Sequence, residues 1–331
     1  MKAAAPIGGA PGWIYPQPFG ARSVLVLIAA LALLFYTGGR VEAGRMLSLT
    51  GAALLGKGPS DSGQGNVLAR LFPLQVSDRQ DVSRIANFDP AHLPPFAYLE
   101  EVRSSEQTLD PETLEMTARP VARTYLVQPF GYLGHVAIKI LETLEIALWG
   151  TLIGMLFGLP LALLGARNVM PYGGVRFLAR SMVSFLRALP ELISALFLVI
   201  AYGFGPIAGF MALGLHAVGV LGKFYADDTE NADRRPQEAL AAIGGGRLAI
   251  WRLAVLPQAM PQYIGATLYV LDRNVRMATV IGLVGAGGIG QELKGRYDMY
   301  EYGYVGTILI AIFLVVLILD QISARLRRRF L

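Results

Sequence analysis

Residues 192–222 read LISALFLVIAYGFGPIAGFMALGLHAVGVLG, and this uncharged stretch decides the fold class. A helix that spans a membrane needs roughly 20 mostly apolar residues, so the stretch is too long for a single span. The sequence Gly203-Phe204-Gly205-Pro206 is a natural tight turn and divides it into two, which we take as the third and fourth spans. Two apolar helices joined by so short a turn predict a chain whose solvent is largely lipid.

Four further segments could cross a membrane, two on each side of this stretch. They are a first span at 22–38, a second at Leu144–Ala166, a fifth at Tyr263–Val284 and a sixth at Tyr302–Leu319. The fifth carries Asp272, Arg273 and Arg276, which hydropathy alone would penalise. The first could be a cleaved signal peptide, but no clean small-x-small cleavage pattern follows it, so we expect a retained helix. Six transmembrane helices predict an all-α membrane protein.

Composition agrees with a membrane protein, because 54% of the 331 residues are hydrophobic and only 16% are charged. Soluble domains have roughly 25% charged residues. The chain has no cysteine, which excludes disulfides and thiolate metal sites. His92, His135 and His216 lie too far apart for metal-ligand spacing, and His216 is expected to hydrogen-bond between helices. We expect no metal and no directly bound cofactor, and the net charge of +5 reflects topology rather than nucleic-acid binding.

Arginine placement orients the spans. The 166–180 loop carries three arginines without an acidic residue, and four more arginines lie in the C-terminal tail. Cytoplasmic loops carry an excess of Lys and Arg, so both segments are expected inside, and six spans then put both termini in the cytoplasm. The other assignments follow: residues 1–21 and the loop 223–262 inside, the turn 203–206 and the segment 285–301 outside.

Residues 39–131 interrupt this pattern, because they hold many prolines and no apolar run of span length. The topology places them outside as an extracytoplasmic insertion, since long loops translocate regardless of their charge. Short helices are expected at Val41–Leu55 and Pro111–Thr117. The remaining five spans, in residues 132–331, form the main transmembrane domain.

Two glycine-rich stretches look like nucleotide-binding motifs. Residues 51–58 resemble a P-loop, but Gly58 stands where Ser or Thr must hold magnesium, and no buried strand precedes it. Residues 285–290 match the dinucleotide fingerprint, which works only between a strand and a helix. Here the glycines follow a membrane segment, so we expect them to allow close helix contact or irregular backbone beside a cavity. No cluster of Ser, His and Asp or of metal ligands supports an enzyme.

The loop after the fourth span carries the most informative motif. It reads EALAAIG at residues 238–244, and Leu256-Pro257 follow. This pattern resembles the loop that bacterial ABC importer permeases share, written E-A-A-x3-G-x9-I-x-L-P. The positions in register are Glu238, Ala239, Gly244, Leu256 and Pro257. Leu240 replaces the second alanine and Ala254 the isoleucine, and both departures are apolar and mild.

The local sequence of this loop predicts two short helices at a glycine corner. Proline in the first turn favours a helix over Gln237–Ile243, and the glycines at 244–246 end it. A second helix is predicted over Arg247–Val255, ending before Pro257. The resemblance implies that this compact coupling helix sits in a cleft on an ATPase subunit.

The resemblance also implies an assembly. It predicts the type I ABC importer permease fold, a homodimer around a central path, two ABC ATPase subunits that use ATP and Mg, and an extracytoplasmic substrate-binding protein. The chain itself would be a non-catalytic translocation subunit of the bacterial inner (plasma) membrane. A secondary transporter is a less favoured alternative, because such proteins show internal repeats across two halves and we find none here.

A second resemblance concerns the substrate. Residues 274–290, NVRMATVIGLVGAGGIG, resemble the fifth-span signature of phosphonate importer permeases. Similar stretches stand at 148–151, 187–191, 205–209 and 216–223, and the likeness covers about residues 132–331. It implies a substrate such as phosphonate, phosphate or phosphite. Methionine-type permeases share the Gly-Ala-Gly-Gly ending, so an importer of another small solute such as methionine is the alternative, although the Asn-Val-Arg-x-Ala-Thr-Val run favours the phosphonate branch.

Ionisable residues inside the spans are the candidates for the substrate path, because such residues usually face a bundle interior or a wet cavity. Arg187 and Glu191 are four apart and could pair on one helical face, and so could Asp272 and Arg276. An oxyanion needs cationic or N–H partners, so Arg276, with Asn274 beside it, could line or gate the path. The alternative for each arginine is an internal ion pair that locks helices together.

Overall fold

A computed structural model of the chain describes residues 21–40, 44, 48, 71–86, 88–90, 93–109 and 116–330. The chain divides into two units, Met1–Arg70 and Leu71–Leu331. Helix α1, Ala21–Arg40, belongs to the first unit and coincides with the predicted first span. The P-loop-like stretch at 51–58 lies outside the described residues, and so does the helix predicted at 41–55 apart from Gly44 and Ser48, both of which are helical.

The second unit is mostly helical and contains one small sheet. Its helices are α2 Gly131–Gly165, α3 Gly173–Ala188, α4 Glu191–Tyr202, α5 Pro206–Asn231, α6 Arg234–Ala242, α7 Arg247–Ile250, α8 Leu256–Gly282, α9 Gly288–Asp298 and α10 Tyr302–Phe330. Its strands are β1 Asp78–Asp81, β2 Tyr98–Leu109 and β3 Met116–Gln128, and a short 3-10 turn covers Val82–Arg84.

Within the described residues, three helices are long and apolar enough to cross a membrane. These are α2, α5 and residues 302–326 of α10, and the bent pair α3 and α4 makes a fourth if it counts as one span. Helix α8 is long enough at 27 residues but carries Asp272, Arg273 and Arg276, which lower its hydropathy. The number of spans therefore stands at three to four by length and composition, and six remains a prediction.

Helix α4 lies where the third span was predicted, but it meets α3 at an 86° bend that was not predicted. Leu189 adopts an extended conformation, with φ −72° and ψ 120°, and Pro190 caps α4. A residue before proline is pushed away from helical geometry, which explains the break. Arg187 and Glu191 therefore do not share a continuous helix, and the predicted pairing of these two residues on one helical face is wrong.

The all-α prediction is wrong for the insertion, where a three-stranded antiparallel sheet forms with the order β1-β3-β2. The long hairpin pairs Tyr98 with Val127 at one end and Leu109 with Met116 at the other. β3 is rich in Val, Thr and Tyr, which favour strands. Met116 and Thr117 begin this strand, so the helix predicted at Pro111–Thr117 is wrong at these two residues, and its other five lie outside the described residues.

The sheet is tied to the start of α10 by the segment that leads into β1. The Gln75 amide donates to the Gly303 carbonyl at 3.2 Å, and the Thr307 hydroxyl donates to the Gln75 carbonyl at 2.8 Å. The Tyr304 hydroxyl donates to the Ser77 carbonyl at 3.2 Å. These bonds place the sheet beside the ends of α2 and α10, because β3 leads directly into α2.

Helices α2 and α5 pack closely through a stripe of small residues. Gly150, Gly154 and Gly158 recur every four residues along α2, so they share one face. A Cβ at Gly154 would lie 2.5 Å from the Cβ of Ala217 on α5, which is closer than two carbons can approach. Small residues at such positions let two backbones meet, which is a common basis of helix association in membranes.

Two glycine turns meet at one end of the helices, which we call the glycine-turn end: residues 203–205 between α4 and α5, and residues 283–287 between α8 and α9. The Gly205 amide donates to the Gly285 carbonyl at 3.0 Å. Gly285 has a φ of +92°, which favours glycine. Residues 285–290 follow helix α8 rather than a strand, so the dinucleotide reading fails and the close backbone contact expected of these glycines is present.

Candidate functional site

The loop between α5 and α8, opposite the glycine-turn end, folds into a compact knob made of α6, α7 and the glycines between them. The Asp233 side chain caps α6 by accepting from the Arg235 amide at 3.1 Å. Gly244, with a φ of +83°, ends the turn after α6, and the Gly245 amide donates a hydrogen bond to the Leu240 carbonyl at 2.9 Å. The first predicted helix of this loop is therefore present, but it begins three residues earlier than predicted and ends one residue earlier.

The second predicted helix does not end before Pro257. Helix α7 continues through a π-helical turn at Trp251–Val255 directly into α8, and Pro257 lies in the first turn of α8. Proline has no backbone N–H to donate to the helix. The π turn before it changes the hydrogen-bond spacing locally, so the helix continues past Pro257 without that donor. As a consequence, α7 in the second half of the knob and α8, which carries Arg273 and Arg276, form one continuous helical rod.

The knob presents apolar side chains to its surroundings. Ile243 is 80% exposed, Leu248 75% and Leu253 63%. Glu238 and Ala239 are also exposed, Pro257 is exposed beside the knob, and Leu256 is half-buried against the core. A group of exposed apolar residues on an otherwise polar loop is typical of a surface that another protein covers.

A groove of about 600 Å³ separates the knob from the α2–α3 loop. Its charged lining comprises Arg167, Glu230, Arg234, Glu238 and Arg247. The Arg167 amide donates to a Glu230 carboxylate oxygen at 2.7 Å, and Arg180 forms an ion pair with the same carboxylate. These bonds fix one wall of the groove to the end of α5. Glu238 lines the groove together with Arg234 and Arg247 of the knob.

Arg276 is held between two carboxylates. Its guanidinium donates to Asp272 at 2.8 Å and to Asp320 on α10 at 3.3 Å. The predicted Asp272–Arg276 pair is confirmed, and the contact with Asp320 ties α8 to α10. This geometry favours the interpretation of Arg276 as an ion-pair lock.

Asn274 faces the interior of the subunit. It is 1% exposed, and its side-chain amide donates to the Thr151 hydroxyl on α2 at 2.9 Å. Its hydrogen bond joins α8 to α2 beside the glycine stripe, so its polar group is used in helix packing.

Glu191 forms its contacts with two residues distant in sequence. Its carboxylate forms an ion pair with Arg273 of α8, and the same oxygen lies 3.3 Å from Nε2 of His216 on α5. The other ring nitrogen of His216, Nδ1, lies 3.1 Å from the Leu189 carbonyl at the α3–α4 bend. His216 thus joins helices, as its sequence position predicted. Sequence reasoning recorded the charge of Arg273 but missed its partner, because that partner is 82 positions away.

A third polar network joins α2, α9 and α10 near the sheet. Arg296 donates to Glu292 at 2.9 Å and to Glu301 at 2.6 Å, and its guanidinium lies 4.6 Å from the ring centroid of Tyr304. Nε2 of His135 lies 3.2 Å from Glu292. Burial raises the pKa of Glu292, but the hydrogen bonds from Arg296 and His135 outweigh it and hold that pKa below its usual value.

No group of three or more potential metal ligands occurs among the described residues.

Helices long and apolar enough to cross a membrane, with an exposed knob opposite two packed glycine turns, are those of an integral membrane protein. Residues 154–331 match the family described as binding-protein-dependent transport system inner membrane component, and the chain belongs to that family.

Two relatives from Stutzerimonas stutzeri are similar over long alignments. A protein described as a phosphite transport system permease, HtxE, is 50% identical over 79% of this chain and 100% of its own length. The phosphite transport system permease protein PtxC is 41% identical over 58% of this chain and 70% of its own length. A D-methionine transport permease, MetI, from Haemophilus influenzae is 25% identical over 55% of this chain and 92% of its own.

The fold is also similar to solved structures. The MetNI methionine ABC transporter, solved in inward-facing conformations, contains a chain with a TM-score of 0.52 and 22% identity. The match covers 59% of the present chain and 96% of that chain. At this identity the likeness shows the fold alone, which is that of an ABC importer permease.

Proposed function

We propose that the chain is the permease subunit of an ATP-driven importer of phosphorus oxyanions, a class that includes phosphite, phosphonate and phosphate. The main support is the similarity at 40–50% identity to permeases named for phosphite and phosphate transport. The methionine-transport permeases are 25% identical, so methionine is the weaker alternative.

The knob is the proposed docking site for the ATPase. Glu238, Ala239 and Gly244 lie in its exposed half, and Leu256 and Pro257 lie where it joins α8. Because α7 and α8 form one rod, a displacement of the knob by a partner would tilt α8 as a rigid body. The chain thereby transmits ATP-driven motion while ATP and Mg stay on the partner.

The assembly would contain two copies of this chain, two ABC ATPase subunits and one extracytoplasmic binding protein. The knob and both termini would then face the cytoplasm of a bacterial cell, and the sheet and the glycine-turn end would face outward. Six spans per copy, with α1 and α8 among them, complete the proposed topology. Exposure of Arg276 and Asp320 supports a second copy on that face, because charges are costly against lipid.

A co-purification experiment tests the docking role. The tagged chain is purified in detergent with the ABC ATPase of its source organism, and the amount of bound ATPase is measured for wild type, Glu238→Lys and Glu101→Lys. Glu101 is also exposed but lies on β2, so it is the matched control. We expect Glu238→Lys to reduce bound ATPase at least fivefold and Glu101→Lys to leave it unchanged; equal recovery from all three would refute the docking role.

A further inference from the structure

The Glu191, Arg273 and His216 triad lies at one level of the helices that surround it. Each residue is about ten positions along its helix from the glycine-turn end, which at ~1.5 Å per residue is roughly 15 Å. The hydrocarbon core of a bilayer is about 30 Å thick, so the proposed topology, with the glycine-turn end at the outer surface, puts the triad near the centre of the bilayer. Ionisable groups at that depth are costly and usually belong to a substrate or ion pathway.

His216 adds a hydrogen-bonding ring to the same place. Nδ1 lies 3.1 Å from the Leu189 carbonyl, which can only accept, so Nδ1 carries a hydrogen. Nε2 lies 3.3 Å from the Glu191 carboxylate. The formal charges of Glu191 and Arg273 balance, so their ion pair is neutral.

Arg187 adds a second positive charge to the same place. It stands in the last turn of α3, where its backbone would lie 2.5 Å from a Cβ at Gly219, one turn beyond His216 on α5. The side chain of Arg187 is exposed, and among the described residues no carboxylate lies within ion-pair distance of it.

The charged group around Arg276, one turn further along α8, has an excess of negative charge instead. Arg276 lies between Asp272 and Asp320, so that group has a net charge of −1 and repels an anion. By contrast, Nη1 of Arg273 is buried without a hydrogen-bond partner among the described residues, which leaves a guanidinium donor unused. An unused buried donor costs free energy that a ligand oxygen would recover.

We propose that Arg273, Arg187 and His216 form a transient oxyanion-binding site at the α3–α4 bend. Glu191 holds Arg273 in place when the site is empty. The inference rests on the proposed function and names the residues that meet its substrate. A phosphorus oxyanion carries one to two negative charges at neutral pH and matches the planar fork of a guanidinium. Its charge offsets the excess positive charge of the triad and Arg187 halfway across the membrane.

Uptake of inorganic phosphite by the complete complex in proteoliposomes tests this site. Arg273→Gln is compared with Arg276→Gln, which removes the same side chain one turn further along the same helix. We expect uptake per assembled complex to fall at least tenfold for Arg273→Gln and less than threefold for Arg276→Gln. If Arg273→Gln does not assemble, the double variant Glu191→Gln with Arg273→Gln removes both members of the ion pair, leaves the net charge of the site unchanged and serves instead. Uptake at the wild-type rate by Arg273→Gln, or by the double variant where it is used instead, would overturn the inference.

A binding measurement separates this inference from the proposed function. The melting temperature of the detergent-solubilised complex is measured in phosphite, with chloride at equal ionic strength as the control. We expect phosphite to raise the wild-type melting temperature and not that of Arg273→Gln; equal shifts would overturn the site. A wild-type complex that accumulates no phosphorus oxyanion would refute the proposed function, whereas a phosphite shift that depends on Arg273 would still support the site.

Discussion

Replacing Gly154 with alanine tests the close packing of α2 against α5. The added Cβ would lie 2.5 Å from the Ala217 Cβ and 3.0 Å from the Ala217 carbonyl carbon, whereas carbon atoms in contact sit at roughly 3.5–4.0 Å. The two helices must therefore separate by about 1 Å at this point. Neighbouring contacts along the stripe then loosen, and overpacking of this kind costs about 1–3 kcal/mol.

Gly134→Ala on the same helix is the matched control, because a Cβ there meets no atom within 4 Å. In a helix interior, alanine is favoured over glycine by about 1 kcal/mol, so this variant should be as stable as the wild type or more stable. Thermal melting of the purified chain in detergent distinguishes the two. A Gly154→Ala protein that melts at or above the temperature of Gly134→Ala would refute the packing argument.

Three further predictions concern the knob, the core and the α9 network. Gly244→Ala, at a φ of +83°, should strain the knob and lower ATPase-coupled uptake severalfold, whereas Gly246→Ala, at a φ of −68°, should not; uptake assays of both decide. Asn274→Ala leaves the Thr151 hydroxyl without its donor and should destabilise the chain by about 1 kcal/mol in a denaturation series. Glu292→Gln should lower the melting temperature at pH 7. The pKa of Glu292 is lowered in the folded state, so its stabilisation is present above the unfolded value near 4.5 and is lost as the pH falls through the folded value. The difference from wild type should therefore shrink in acid, and a difference that persists unchanged would contradict the assignment.

The sequence predicted best where local chemistry decides the structure. The turn at 203–206 appears where glycine and proline predicted it, and the knob forms around Gly244 because a positive φ is required there. The bend at Pro190 follows from the same local chemistry, since proline disfavours helix before it, but the apolar run after it predicted only a span that begins at Leu192. The π turn before Pro257 depends on how α7 and α8 join, which local propensity does not reveal.

The missed features depend on contacts between distant residues. The strands of the insertion carry several charged residues, so they lack a clear hydropathy pattern. The Arg273–Glu191 pair joins α8 to α4 and arises only when both helices pack on α5. The candidate charges were therefore found from the sequence, whereas their balance, negative around Arg276 and positive around Arg273, required the fold.

ATP-dependent uptake by the reconstituted complex tests the central claim most directly. Proteoliposomes containing this chain, its ABC ATPase and its binding protein are supplied with phosphite or methionine, with ATP inside or absent. The account predicts phosphite accumulation that requires ATP, is lost in Glu238→Lys and is not reduced by excess methionine. Uptake of methionine alone, or phosphite uptake that proceeds equally without ATP, would contradict it.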